Sequence, residues 1–154
     1  MASSTAIRSH TVRHRSRSPR LPSGLPSRAV LDLGALPTAP GRARAWIRQV
    51  LPEWKVAGLL EAAELVVSEL VTNAMHVSRR LDRASIRLIL ALEHGELTIL
   101  VRDYCPGSPQ TRDVGDEEES GRGLFLVEAM SSRFGWYPSG DGAPGKVVWA
   151  ALAQ

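Results

Sequence analysis

Ser68-Glu69-Leu70-Val71-Thr72-Asn73-Ala74-Met75-His76 is the stretch on which the fold turns. It lies within a longer periodic segment, from about Val56 to Ser78. There Leu59, Leu60, Ala63, Val66, Val67, Leu70, Val71, Ala74 and Met75 recur at three- and four-residue steps. That period is the one a helix needs to bury a single face. Polar residues interrupt the apolar context, Glu69 and Asn73 among them. Glu69 and Asn73 are four apart, so they share one side of the helix, one turn from each other. A carboxylate and an amide among Leu70, Val71 and Ala74 are costly unless they find partners. Two readings stay open for this segment alone: an exposed polar stripe, or a carboxylate base beside an oxygen ligand for a hard cation such as Mg²⁺.

Outward from this helix the pattern changes to strands. Ser85 to Leu92 and Leu97 to Asp103 are rich in Ile, Leu and Val, and His94-Gly95 between them suits a tight hairpin turn. Upstream, Ala29 to Leu33 reads as a short strand closed by Gly34. Ala43 to Val50 reads as a helix carrying Trp46 and Ile47 toward a core, with Pro52 as its stop. Downstream, Gly123 to Ser131 reads as a helix, and Arg133 to Tyr137 with Lys146 to Leu152 as a closing strand pair. The order β-α-α-β-β-loop-α-β-β implies an α+β fold. It is a two-layer sandwich whose mixed, mostly antiparallel sheet is covered on one face by helices. Trp46, Trp54, Trp136 and Trp149 are most simply core aromatics, and His76 a packed residue near the helix end.

The chain of 154 residues fits one domain, residues 28–154, behind a tail, residues 1–27. The tail is rich in Ser, Arg and Pro and too poor in apolar residues to offset its ordering entropy, so it is expected to be disordered. It has no apolar stretch of a secretory signal. Three prolines within 19–26 spoil the amphipathic helix of an organelle transit peptide. The net charge of +3 divides unevenly: residues 1–28 hold six arginines and no acid, leaving 13 basic against 16 acidic side chains in the remainder. A body of about −3 gives no reason to expect direct nucleic-acid binding. One cysteine, Cys105, excludes an internal disulfide and a multi-thiolate zinc site, and no apolar run is long enough for a membrane helix. With no targeting signal, the cytoplasm is the expected location.

Two further segments hold residues suited to chemistry. The second hairpin strand ends in Asp103-Tyr104-Cys105-Pro106-Gly107, an acid where a core strand enters a glycine-containing loop. Asp103 is placed either to hydrogen-bond a ligand or simply to start the turn. Residues 106–120 read as a loop holding the acidic run Asp116-Glu117-Glu118-Glu119. Then Gly121-Arg122-Gly123-Leu124 opens the third helix. Its glycines would let the backbone approach an anion, the helix N-terminus offers free N–H groups, and Arg122 adds charge for a phosphate. A Gly-x-Gly before a helix is also a common structural device.

Taken in this order, the three segments resemble the ATP-binding domain shared by histidine kinases, DNA gyrase, the Hsp90 chaperones and MutL. Within that superfamily the chain looks most like the short, stand-alone anti-sigma-factor kinases, in particular the small actinobacterial regulators. Glu-Leu-Val-x-Asn-Ala at 69–74 resembles the N-box, Asp103 to Gly107 the first glycine box, and Gly121 to Leu124 the second. Gly145-Lys146-Val147-Val148-Trp149 is similar to the last strand of the family. The resemblance implies a Bergerat-type fold that binds ATP and Mg²⁺. It makes Asn73 the ligand of the metal, Glu69 the general base and Asp103 the acceptor for the adenine amino group. Gly107 would flank the adenine, Gly121, Arg122, Gly123 and Leu124 would lie near the phosphates, and the loop 108–120 would serve as a lid.

Three positions depart from the pattern. Cys105 stands where the family has its first glycine, Val147 where it often has a threonine supporting the adenine contact, and the presumed lid carries four consecutive acids. The implied activity is that of a serine/threonine protein kinase acting as an anti-sigma factor, which phosphorylates an antagonist protein and binds a sigma factor. A chain this short has no substrate domain, so the acceptor hydroxyl must arrive on another protein. Relatives of this type often form homodimers. The alternative is a module that sequesters a sigma factor or another partner without transferring phosphate. Retention of Glu69 favours the kinase, because a pure binder needs no base.

Overall fold

The computed structural model describes residues 27–80, 85–105, 123–140 and 142–154. The tail expected at 1–27 and the lid expected at 108–120 therefore lie, but for Ser27, outside the described residues. Five strands form one sheet: β1 (Ser27–Gly34), β2 (Ser85–Glu93), β3 (Glu96–Asp103), β4 (Arg133–Pro138) and β5 (Lys146–Ala153). Their spatial order is β1-β2-β3-β5-β4. Every pairing between them is antiparallel, so among the described residues the sheet is antiparallel throughout and not mixed. The hairpin β2–β3 turns through His94 and Gly95, whose φ values of 46° and 79° meet the demand of a type I′ turn for two positive φ angles.

Three helices lie over one face: α1 (Ala39–Glu53), α2 (Leu60–Arg80) and α3 (Gly123–Met130). A single 3₁₀ turn, Ala57–Leu59, leads into α2. Helix α1 runs further than its apolar positions suggested. Pro40 occupies its first turn, where a missing N–H costs nothing, and Pro52 sits inside its last turn instead of stopping the helix ahead of it. The stop comes at Lys55, in the left-handed region at φ 59°. The N–H of Val56 donates to Leu51 O and that of Lys55 to Pro52 O, a Schellman motif made without glycine.

Helix α2 is the centre of the core. Ala63, Val66, Val67, Leu70, Val71, Ala74 and Met75 are all buried along one face. They pack against Ala43, Ile47 and Leu51 of α1 and against the inward side chains of the sheet, Ile86, Leu88 and Leu90 on β2, Leu97, Ile99 and Val101 on β3. Arg79 and Arg80 end α2 on its exposed side, where positive charge suits the C-terminal end of the helix dipole. The opposite face of the sheet carries a smaller apolar cluster of Leu100, Val147, Trp149 and Ala151. Trp149 thus belongs to this second cluster, with the Arg133 guanidinium 5.9 Å from its ring, whereas Trp46, Trp54 and Trp136 pack on the helix side.

Candidate functional site

A recess of about 320 Å³, open to solvent, lies between α2 and the ends of β3 and β5. Leu70, Ala74 and Val77 of α2 form one wall, and Val101 and Val148 of the sheet form the other. Three polar side chains enter this apolar setting: Asn73, Asp103 and Lys146. An apolar cleft with a few convergent polar groups is the general form of a ligand site.

The sheet register builds the polar end. Asp103 and Lys146 are direct partners across β3 and β5, and strand alternation puts both on the helix-facing side with Val101 and Val148. They are 2% and 3% exposed, burial that ionisable groups reach only in company. Lys146 Nζ lies 2.9 Å from Asp103 Oδ2 and 3.1 Å from Oδ1. The backbone N–H of Cys105 donates to Oδ1 at 2.9 Å. Burial pushes the Asp103 carboxyl up, and the Lys146 ammonium and the Cys105 N–H pull it partly back. Gly145 makes the pairing possible. Its φ is +142°, and a Cβ there would collide with the carbonyl oxygen of Asp103 and stand 3.1 Å from Tyr104 Cα.

Glu69 sits one turn before Asn73 on α2, and both are half-buried. Burial raises the Glu69 carboxyl above its ordinary range. Its neighbour is the first residue of α3: a Cβ on Gly123 would overlap Glu69 Oε2 and lie 3.1 Å from Cδ. Only glycine lets the start of α3 come this close to the carboxylate. Residue by residue, then, the structure brings Asn73 and Asp103 into one recess and sets Glu69 against Gly123. Leu124 is 3% exposed and belongs to the core beneath α3. Gly107, Gly121 and Arg122 lie outside the described residues.

Two points differ from the reading of the sequence. Val147 faces the cluster on the far side of the sheet, so its missing hydroxyl has no bearing on the recess. The residue of that strand that does line the recess, besides Val148, is Lys146, which sequence reasoning treated only as the first residue of β5. A signal was present. Counting alternate positions back from Ala150 and Val148 places Lys146 on the apolar face, where a lysine needs a reason.

Residues 33–152, well over half of the chain, match the histidine kinase-like ATPase domain. The chain belongs to that family. No curated protein matches it significantly. The sheet with helices on one face agrees with the histidine kinase-like ATPase fold. Membership in this ATPase family also supports ATP as the ligand of the recess. Among the described residues no helix is long and apolar enough to cross a membrane.

Proposed function

We propose that this histidine kinase-like ATPase domain is a serine/threonine protein kinase that acts as an anti-sigma factor by phosphorylating an antagonist protein. One observation carries the reading: a half-buried Glu69, its carboxyl raised by desolvation, stands one helical turn from Asn73, which lines the recess. A base with a raised pKa is suited to take a proton from a hydroxyl near neutral pH. ATP supplies the transferable γ-phosphoryl group and Mg²⁺ the neutralisation of its charge. Phosphoryl transfer asks little more of a protein than positioning and electrostatics.

The residues fit these roles. Among the described residues no cluster of three or more His, Cys, Asp or Glu could hold a metal ion. Mg²⁺ here would rest on the amide oxygen of Asn73 together with oxygens of the ligand and water, the sparse protein ligation this ion prefers in nucleotide sites. Asp103 keeps a lone pair on Oδ2 for the adenine amino group, and the apolar walls suit a planar base. Gly123 at the start of α3 lets the backbone approach Glu69, where a side chain would meet the carboxylate. The acceptor hydroxyl comes from the antagonist, with the sigma factor as the second partner.

The test is transfer of label from [γ-³²P]ATP to candidate antagonist proteins, with Glu69→Ala as control. Transfer by the wild type that is lost in the variant supports the kinase. Nucleotide binding without transfer to any antagonist assigns the chain instead to a module that sequesters its partner.

A further inference from the structure

Lys146 is an unusual residue to find at the polar end of the recess. It is 3% exposed on the face of β5 that also carries Val148 and Ala150, and burying an ammonium there is costly. Asp103 neutralises its charge but does not exhaust its donors. An ammonium has three N–H groups. Nζ donates to Oδ1 and lies 2.9 Å from Oδ2, so at least one N–H remains, and among the described residues Asp103 is the side chain that accepts from it. The carboxylate is likewise only partly used: Oδ1 takes Lys146 and the Cys105 N–H, while Oδ2 takes Lys146 alone. A free donor and a free acceptor therefore stand side by side, on atoms 2.9 Å apart, at the edge of an apolar recess.

That pattern is complementary to a flat heterocycle carrying an amino group next to an unprotonated ring nitrogen. Adenine has this edge in its 6-amino group and N1. We propose that Lys146 is a specificity-determining residue for the base: it donates to adenine N1 while Asp103 accepts from the neighbouring amino group. The inference rests on the ATP reading above and adds a second point of recognition to it. Asp103 alone would test only for an amino group. Asp103 with Lys146 tests for the amino group and for the acceptor beside it. The walls of Ala74, Val77, Val101 and Val148 hold the ring between them but supply no polar group of their own.

A site built to hydrogen-bond a particular ligand atom rejects an analogue lacking it, because the buried donor is left unpaired. The experiment is calorimetric titration of the full chain with Mg²⁺–ATP and with Mg²⁺–1-deaza-ATP, in which N1 is replaced by C–H, repeated on Lys146→Met. The wild type should bind the deaza analogue about 10- to 100-fold more weakly, the range for a hydrogen bond to a charged group. Lys146→Met should bind the two nucleotides within about twofold of each other, since the donor that distinguishes them is gone. Equal affinity of the wild type for both overturns the inference, as does discrimination that persists in the variant. Removing Lys146 leaves Asp103 buried without its counter-ion, so Asp103→Asn/Lys146→Met serves as the folded substitute, and equal affinity of the wild type for the two nucleotides refutes the inference without any variant. A wild type that binds ATP without discriminating refutes the role of Lys146 alone, whereas one that binds neither nucleotide refutes the ATP reading and this inference with it.

Discussion

At Glu69, burial lifts the carboxyl above its ordinary range, and the sign of the consequence can be worked out. A carboxyl whose folded pKa exceeds its unfolded one holds its proton more tightly in the native state. Its stabilising contribution is present at acid pH and is lost as pH rises through the folded value. At neutral pH the ionised group is thus a burden on the fold. Glu69→Gln should raise Tm by up to a few degrees at pH 7, an advantage that vanishes below the carboxylate range, while phosphotransfer falls by at least about a hundredfold. Thermal unfolding at both pH values, beside a transfer assay, checks both halves. Phosphotransfer by the wild type should in turn decline as pH drops through the raised pKa of Glu69, because the base must be ionised to accept a proton. Gly145 makes a second prediction at this scale. Gly145→Ala places a side chain at φ +142° and against the carbonyl of Asp103, so it should cost more than about 1 kcal/mol in denaturant unfolding and weaken ATP binding by displacing Lys146.

Among the elements, β5 shows best what alternation decides. Lys146, Val148, Ala150 and Leu152 face the helices, while Val147, Trp149 and Ala151 face away. Restoring a threonine at 147 should therefore leave ATP affinity unchanged and cost about 1 kcal/mol or more of stability, since it buries a hydroxyl in an apolar cluster. A matched pair of titration and unfolding curves for Val147→Thr separates the two effects. The elements themselves were legible: the period of α2, the hairpin at His94-Gly95 and the closing strand pair all follow from local spacing. What local spacing could not show is which residue of β5 stands opposite which of β3. The pairing of Lys146 with Asp103 is a register across 43 positions, set by Gly145 and by the inward faces of both strands. The ends of α1 escaped for a different reason. Pro52 reads as a stop, yet it lies a residue short of the helix end, and Pro40 lies in the first turn, where proline is tolerated.

For the molecule as a whole, one core joins the three helices to the sheet, so the recess depends on parts that are distant in sequence. Its walls come from α2, β3 and β5, and Glu69 meets the start of α3. Ile99, fully buried at the centre of β3, ties them together. Ile99→Ala should cost about 2–5 kcal/mol, lowering Tm by roughly 5–15 °C with a single cooperative transition. The candidate site was legible in part for the same reason that it works. Glu69 and Asn73 share one helix and are visible as a pair in the sequence, while Gly123 and Lys146 reach them only through folding. Asn73, with the recess it lines, is expected to hold the nucleotide with its metal ion. The most direct measurement is calorimetric titration of Mg²⁺–ATP into the wild type and into Asn73→Ala, each first shown to be folded by its thermal transition. Micromolar binding by the wild type, weakened at least about tenfold by the substitution, is the predicted result. A folded wild type that binds no Mg²⁺–ATP, or a variant that binds it equally well, would contradict the account.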